Sequence, residues 1–432
     1  MKIINGDKID IKKIKKFQEI PTEILSGVLT IIQEVSTKGD EALIKITEKL
    51  DGCRLSSFRV NIKEELSRIR KLDPHLKSAI RIAVKNVRQV ARKQKSILLK
   101  AVRPVHRILP GVYVKQEIIP VKRAGIYVPA GRYPLISSLY MGVIPALEAG
   151  VQEIVVCTPP DKEGSIPVEI IYLADLLGIK EIYKIGGAQA IAAMALGTQT
   201  INPVDFIAGP GNIYVNAAKK LLYGKVGIDF IAGPTELLII ADSSASPEWV
   251  AADLLAQAEH DVLAKPFLIT FDRIFANRVK IELEKQLSSY SHSTTASEAL
   301  RKNGMIMICK NYSQAAYLAN ELAPEHLAVY LKNPEKIINN LYNYGCLFVG
   351  EYTAEVFGDY CAGSNHILPT NGTGRYRGGL SVVDFLKLVT QIRITEKGAR
   401  TLASATIRIA QREGLILHAR SARLRAGKSD KR

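Results

Sequence analysis

Two rhythms of apolar and polar positions divide this chain. In the first, Leu76, Ile80, Ala83, Val84, Val87, Val90 and Ala91 recur at helical spacing, while Lys77, Arg81, Lys85, Arg88, Arg92 and Lys95 line another face. That pattern predicts one long amphipathic helix. From about residue 124 the rhythm changes to short apolar runs separated by helical stretches. AGIYVP at 124–129, EIVVC at 153–157, EIYKI at 181–185 and VDFIA at 204–208 read as strands, with helices expected at 138–148, 168–177, 189–196 and 213–222. DFIAG and ELLII close this block near residue 240. A second block follows, with helices at 247–260, 274–286 and 313–322 and strands in PFLITF, MIMIC and HLAVYL. Alternating strands and helices predict parallel sheets covered on both faces. The fold class is therefore α/β: two Rossmann-like, incomplete parallel-sheet domains plus small N- and C-terminal arms. A helix is expected over 393–412, ending at Gly414, with a polar basic arm beyond it.

Composition narrows the class. The chain has 432 residues, 47% of them hydrophobic, enough to bury a sizeable core. No apolar run approaches the roughly 20 residues of a membrane span, and the first residues show no secretory pattern. Cys53, Cys157, Cys309, Cys346 and Cys361 are odd in number, far apart and without a CxxC pair. They suggest no disulfide framework and fit a reducing cytoplasm.

Charge raises a different class. Lys and Arg number 59 against 42 Asp and Glu, a net charge of +17. Most of the excess lies in residues 61–110, with 14 basic and 3 acidic side chains, and in 418–432, with 6 and 1. Such patches suit nucleic acid, but no aromatic residue interleaves with the basic helix stripe and no helix-turn-helix spacing follows it. A solvated helix face explains the stripe, and nucleic acid is not expected as a partner.

The candidate chemistry gathers around a few histidines. Seven occur; His75, His106 and His292 sit in polar or basic surroundings, whereas His260, His326, His366 and His418 fall in segments rich in glycine or carboxylates. Ser246-Pro247-Glu248 is a strong helix start. Carried forward, that helix places Gln257 and His260 three residues apart on one face. An amide oxygen beside an imidazole is either half of a metal site or an ordinary core hydrogen bond. Pro324-Glu325-His326-Leu327 enters a strand; Glu and His there are either a polar turn or an acid–base pair working near neutral pH. Gly358 to His366 packs Asp359, Cys361, Ser364, Asn365 and His366 between glycines, as a binding loop would. Cys361 adds a rival chemistry, a thiolate attacking an aldehyde. No G-x-G-x-x-G occurs. Gly209-Pro210-Gly211-Asn212 opens a helix after a strand, which suits a phosphate, although Tyr214 stands where the third glycine would be.

Taken in order, these segments resemble histidinol dehydrogenases. The resemblance rests on GIYVPAGRYP at 125–134, GGAQAIAA at 186–193, GPGNIYV at 209–215, IDFIAGPTELLIIAD at 228–242, QAEHD at 257–261, APEHLAVY at 323–330, GDYCAGSNHILPT at 358–370, GLSVVDF at 379–385 and EGLILH at 413–418. It implies NAD-dependent oxidation of L-histidinol to L-histidine through a bound aldehyde, in a cytoplasmic homodimer with one Zn²⁺ per site. It implies Gln257, His260, Asp359 and His418 as metal ligands, His418 coming from the other subunit. Glu325 and His326 match the acid–base pair. Thr235, Gln257, His260, His326, Asp359, Glu413 and His418, with His366 beside them, fall where the family contacts substrate; Tyr127, Gln189 and Asn212 fall where it contacts NAD. Thr235 stands where many relatives carry Ser, which keeps the hydroxyl.

The resemblance also implies a domain plan. An N-terminal arm would cover 1–23. The domain with the metal and catalytic residues would combine 24–123 with 237–379, and the NAD side would be 124–236. A C-terminal helical arm, 380–432, would reach the partner subunit. The alternatives are a related zinc-dependent dehydrogenase acting on another hydroxylated small molecule and, from another class, a nucleic-acid-binding protein.

Overall fold

Segments such as EIVVCT at Glu153–Thr158 and ELLIIA at Glu236–Ala241 are apolar without alternation, as strands covered on both faces must be, and they are buried along nearly their whole length. In the computed structural model, which describes residues 1–14, 19–102, 105–130, 134–290 and 294–427, such strands form two parallel sheets. The first runs, edge to edge, Lys2–Asn5, Met305–Ile308, Lys265–Thr270, Glu236–Ala241, His326–Tyr330 and Cys346–Val349. The second runs Glu181–Lys184, Glu153–Thr158, Arg123–Tyr127, Phe206–Ala208 and Gly227–Ile228. His292 and residues 428–432 lie outside the described residues.

Two features of this topology position the site. In the second sheet the chain steps from Arg123–Tyr127 out to Glu181–Lys184, then returns to lay Phe206–Ala208 against the opposite side of the starting strand. Such a reversal opens a crevice at the carboxyl ends of the two strands, where open α/β sheets bind ligands; here it lies between Tyr127 and Gly209. Residues 229–235 then lead from the carboxyl end of Gly227–Ile228 directly into the amino end of Glu236–Ala241. The carboxyl edge of the second sheet is thereby joined to the amino edge of the first.

The packing departs from the expected domain plan. The helix Thr22–Lys38 lies on Gly187–Leu196 and Ile213–Leu222, and its Val28, Ile32 and Val35 share one core with Val155, Ile191 and Ala217. The long helix Pro74–Ala101 packs on Ile136–Ala149, burying Ile80, Ala83, Val84, Val87 and Ala91. Residues 24–101 thus cover the second sheet, not the first as expected for 24–123. The reason is apolar area: the strands of that sheet need cover on both faces, and these helices supply part of it. The N-terminal arm is no free arm either, since Lys2–Asn5 is the edge strand of the first sheet.

The C-terminal arm is also not helical throughout. Leu386–Ile394 pairs antiparallel with Val112–Pro120 along its whole length, and His106–Leu109 completes a three-stranded ribbon. The helix expected from residue 393 begins at Glu396, where the Thr395 hydroxyl caps Gly398 N–H. Beyond Gly414, whose φ is +76°, the polar arm forms a further helix, Ile416–Arg425. Among the described residues no helix is long and apolar enough to cross a membrane, and all five cysteines are free.

Candidate active site

Thr235, Glu236, Glu325 and His326 stand side by side because strands Glu236–Ala241 and His326–Tyr330 are neighbours, in a register that sets His326 opposite Leu237. Glu325, just before its strand, turns its carboxylate toward the adjoining strand, where it accepts from Thr235 Oγ1 at 2.6 Å and from Glu236 N–H at 3.1 Å. His326 turns its ring so that Nδ1 lies 3.2 Å from the Glu236 carbonyl. A carbonyl only accepts, so Nδ1 carries the proton and Nε2 is left for chemistry. Nε2 is buried, makes no hydrogen bond and faces Asp359 Oδ1 at 3.5 Å.

Two further elements close the cluster. The helix Pro247–Glu259 carries the fully buried Gln257 2.6 Å from Thr235 Oγ1. With its nitrogen turned to Glu355, the Gln257 amide donates to that carboxylate at 2.6 and 3.1 Å. His260 caps the same helix. The short helix Glu355–Tyr360 presents Glu355 and Asp359, four residues apart and hence on one face. Glu355 Oε1 is 3.3 Å from His326 Nδ1. Behind them His366 donates from Nδ1 to the Asp359 carbonyl at 2.9 Å and sets Nε2 3.4 Å from Ser138 Oγ.

Burial and crowding set the charges. Burial pushes Glu325 up to about 7, against the pull of His326 and the Thr235 hydroxyl, and pushes Glu355 up to about 8. Burial opposes a charged His326 ring, yet Glu355, Glu325 and Asp359 hold it well above the usual imidazole range. Asp359 is kept low despite its burial, chiefly by His326, with His366 and His260 adding to the effect. Three carboxyl groups packed around one buried imidazole cannot all ionise without cost, which a bound cation would relieve. Ligand atoms of His326, Glu355 and Asp359 all lie within 4.8 Å of one another.

The crevice of the second sheet holds the other group of expected residues. Tyr127 ends its strand, buried, with its hydroxyl accepting from Gly187 N–H at 3.1 Å; burial raises its phenol to about 12, so it stays neutral. Gln189, in the first turn of helix Gly187–Leu196, is buried with its Oε1 unpartnered. Asn212 caps helix Ile213–Leu222, its Oδ1 accepting from Tyr214 and Val215 N–H at 3.0 and 3.1 Å. The crevice therefore offers two helix N-termini and an orphaned buried acceptor, which suits a polar, phosphate-bearing ligand.

Of the residues singled out in the sequence, Thr235, Gln257, Glu325, His326, Asp359 and His366 meet in one cluster, with His260 close enough to act on Asp359. Glu413 and His418 stand exposed on the C-terminal arm, outside it. His75 and His106 are exposed. Cys361 is partly buried, its carbonyl accepting from Asn86 Nδ2 at 2.8 Å. Glu355 went unnoticed in the sequence. Its signal was there, a carboxylate one helical turn before Asp359 in EVFGDY.

Comparison with known proteins bears on the chain as a whole. A profile of the family described as histidinol dehydrogenase matches residues 15–426. The chain is 43% identical to a histidinol dehydrogenase from Methanothermobacter thermautotrophicus, over 93% of each chain. It is 40% identical to one from Clostridium acetobutylicum, over 93% of this chain and 92% of that one. The crystal structure of histidinol dehydrogenase from Elizabethkingia anophelis superposes with a TM-score of 0.91 at 36% identity, covering 99% of this chain and 98% of that one. Matched along its length in both sequence and architecture, the chain belongs to the histidinol dehydrogenase family.

Proposed function

We propose that the chain oxidises L-histidinol to L-histidine in two successive NAD-dependent steps, with the aldehyde held in the site between them. The observation that carries this reading is the division of labour on the joined sheet edges. A buried His326 with a free Nε2 and a Glu325 titrating near neutrality stand on one edge, and a crevice with an unpartnered Gln189 stands on the other.

His326 takes the hydroxyl proton on Nε2, because Nδ1–H is committed to the Glu236 carbonyl. Glu325, fixed by Thr235 and Glu236 N–H, removes a proton from the water that adds to the aldehyde. The hydrated aldehyde is again an alcohol, so His326 serves a second time. Tyr127, Gln189 and Asn212 would orient the dinucleotide, a fresh molecule of which would accept the hydride of each oxidation.

The donor set also fits one divalent cation. Gln257 Oε1, an imidazole nitrogen of His260 and a carboxylate oxygen of Asp359 would hold Zn²⁺, together with His418 of the partner subunit. Such an ion would help to orient the substrate and would offset the carboxylate field that raises His326. Exposed Leu388, Ile392, Ile394, Ile409, Ile416, Leu417 and Leu424 along the C-terminal segment support its packing on a second copy. On that copy Glu413 would contact the substrate.

The test is NADH formation from L-histidinol with and without a chelator. Two NADH per histidinol consumed, lost on metal removal, is the expected result. One NADH with release of aldehyde would remove the second oxidation. NADH from another hydroxylated compound but none from histidinol would favour a related dehydrogenase instead.

A further inference from the structure

Behind the turn that follows strand Phe206–Ala208 lies a buried ion pair that the chemistry above does not use. Lys219 Nζ and Asp229 Oδ1 are 2.7 Å apart, with side chains 1% and 0% exposed. Burying two charges is costly, and apolar residues of similar size commonly serve stability as well or better. The partners of this pair show where its interactions are directed. Asp229 Oδ2 accepts from Gly209 N–H at 2.8 Å, and Oδ1 also accepts from Phe230 N–H at 2.7 Å. Lys219 Nζ donates to the Gly209 carbonyl as well. Both polar groups of Gly209 are therefore gripped from behind by one pair, the lysine on helix Ile213–Leu222 and the aspartate just after strand Gly227–Ile228.

Gly209 needs such a grip. Its φ is +123°, and a Cβ there would sit 2.0 Å from the Tyr127 carbonyl oxygen, so the backbones of the two switch-point strands touch at this residue. Asn216 fastens the rest of the turn: its Nδ2 donates to the Gly211 and Asn212 carbonyls at 2.9 and 3.2 Å, and its Oδ1 accepts from Ala232 N–H at 2.9 Å. The turn 209–212 is thus fixed by Asp229, Lys219 and Asn216 where it passes Tyr127, while the Gln189 Oε1 of the same crevice keeps no partner.

We propose that Lys219 and Asp229 are positioning residues for the dinucleotide: they lock the turn 209–212 in its ligand-accepting shape and so set the affinity for NAD from behind the turn. This rests on reading the crevice as the NAD site. A turn ordered before the cofactor arrives spares the ordering cost on binding.

The experiment compares the natural enzyme with Lys219→Met combined with Asp229→Asn, which leaves no unpaired buried charge. NADH binding is read by fluorescence titration, histidinol binding without nucleotide by calorimetry, and zinc by elemental analysis. The expected result is NADH affinity weakened about tenfold or more, the scale of one lost hydrogen bond to a charged group. The KM for NAD should rise in step, with histidinol affinity and zinc content unchanged. A folded double variant with natural NADH affinity overturns the proposal, and so does equal weakening of histidinol and NADH. Gln189→Ala and Asn212→Ala separate the two readings. If they weaken NADH binding and the double variant does not, only the clamp falls; if neither weakens it, the crevice reading falls and the clamp with it. Should the double variant not fold, amide exchange on the natural enzyme decides. Strong protection of Gly209 N–H before NADH is added supports a turn locked in advance, and protection that arises only with NADH overturns it.

Discussion

Glu325 and His326 are consecutive, yet the start of a strand sends their side chains to different partners. One carboxylate meets a hydroxyl and an N–H, and one ring meets a carbonyl and an acid. Burial raises Glu325 to about 7, and the base role proposed for it requires the ionised form. Aldehyde oxidation should therefore rise with pH through an apparent pKa near 7, and Glu325→Gln should abolish that limb while leaving NADH binding intact. A pH profile of NADH formation from added aldehyde checks this; an unchanged limb in Glu325→Gln would reassign the base. The same shift has a sign for stability. The folded state keeps the proton to a higher pH than the unfolded chain, so the stabilisation from Glu325 is complete below about 4.5 and is lost as pH rises through about 7. At this scale the sequence was informative where a residue type is rare: four of seven histidines stood out and three of them lie in or beside the cluster. Glu355 hid because glutamate is common, and only the fold shows it buried beside Gln257.

Elements were legible where a cap or a period marked them. Helix Ile213–Leu222 has the bounds its pattern implied, with Asn212 as its cap. The strand Leu386–Ile394 was missed although L-K-L-V-T-Q-I-R-I sets Leu386, Leu388, Ile392 and Ile394 on one side, because most of its residues are exposed and its partner Val112–Pro120 is more than 260 positions earlier. Pairing at that distance leaves no local trace. The basic helix Pro74–Ala101 forms as its pattern implied, although Val90, expected on its apolar face, is exposed; Arg88 and Arg92 share Glu148, and Asp73 caps its start by accepting from His75 and Leu76 N–H at 3.0 and 3.3 Å. The helix meets the loop of Asp359 and His366 only further along, where Asn86 holds the Cys361 carbonyl, so Asp73→Ala at its start should lower stability by about 1 kcal/mol with the KM for histidinol and NAD unchanged. Urea unfolding beside steady-state kinetics measures both, and a raised KM would tie the helix to the site.

The whole molecule explains what the single chain leaves apart. Gln257, His260 and Asp359 share the cluster, whereas Glu413 and His418 ride on an exposed arm lined with uncovered Leu and Ile. In the dimer proposed above, an arm of that composition would bury its apolar side by crossing to a neighbour, and each arm would then complete the other site. Complementation tests this directly. His326→Asn and His418→Asn should each be nearly inactive alone, since each damages both sites of its own dimer. When the two are mixed and allowed to exchange, a hybrid dimer joins an intact His326 to His418 of the partner subunit in one site and gathers both substitutions in the other. Half the dimers of an equal random mixture are hybrids, so the mixture should regain roughly a quarter of the natural rate per chain. Sites completed within one chain would give no recovery at any mixing ratio, even with subunit exchange demonstrated by mass-tagged protomers.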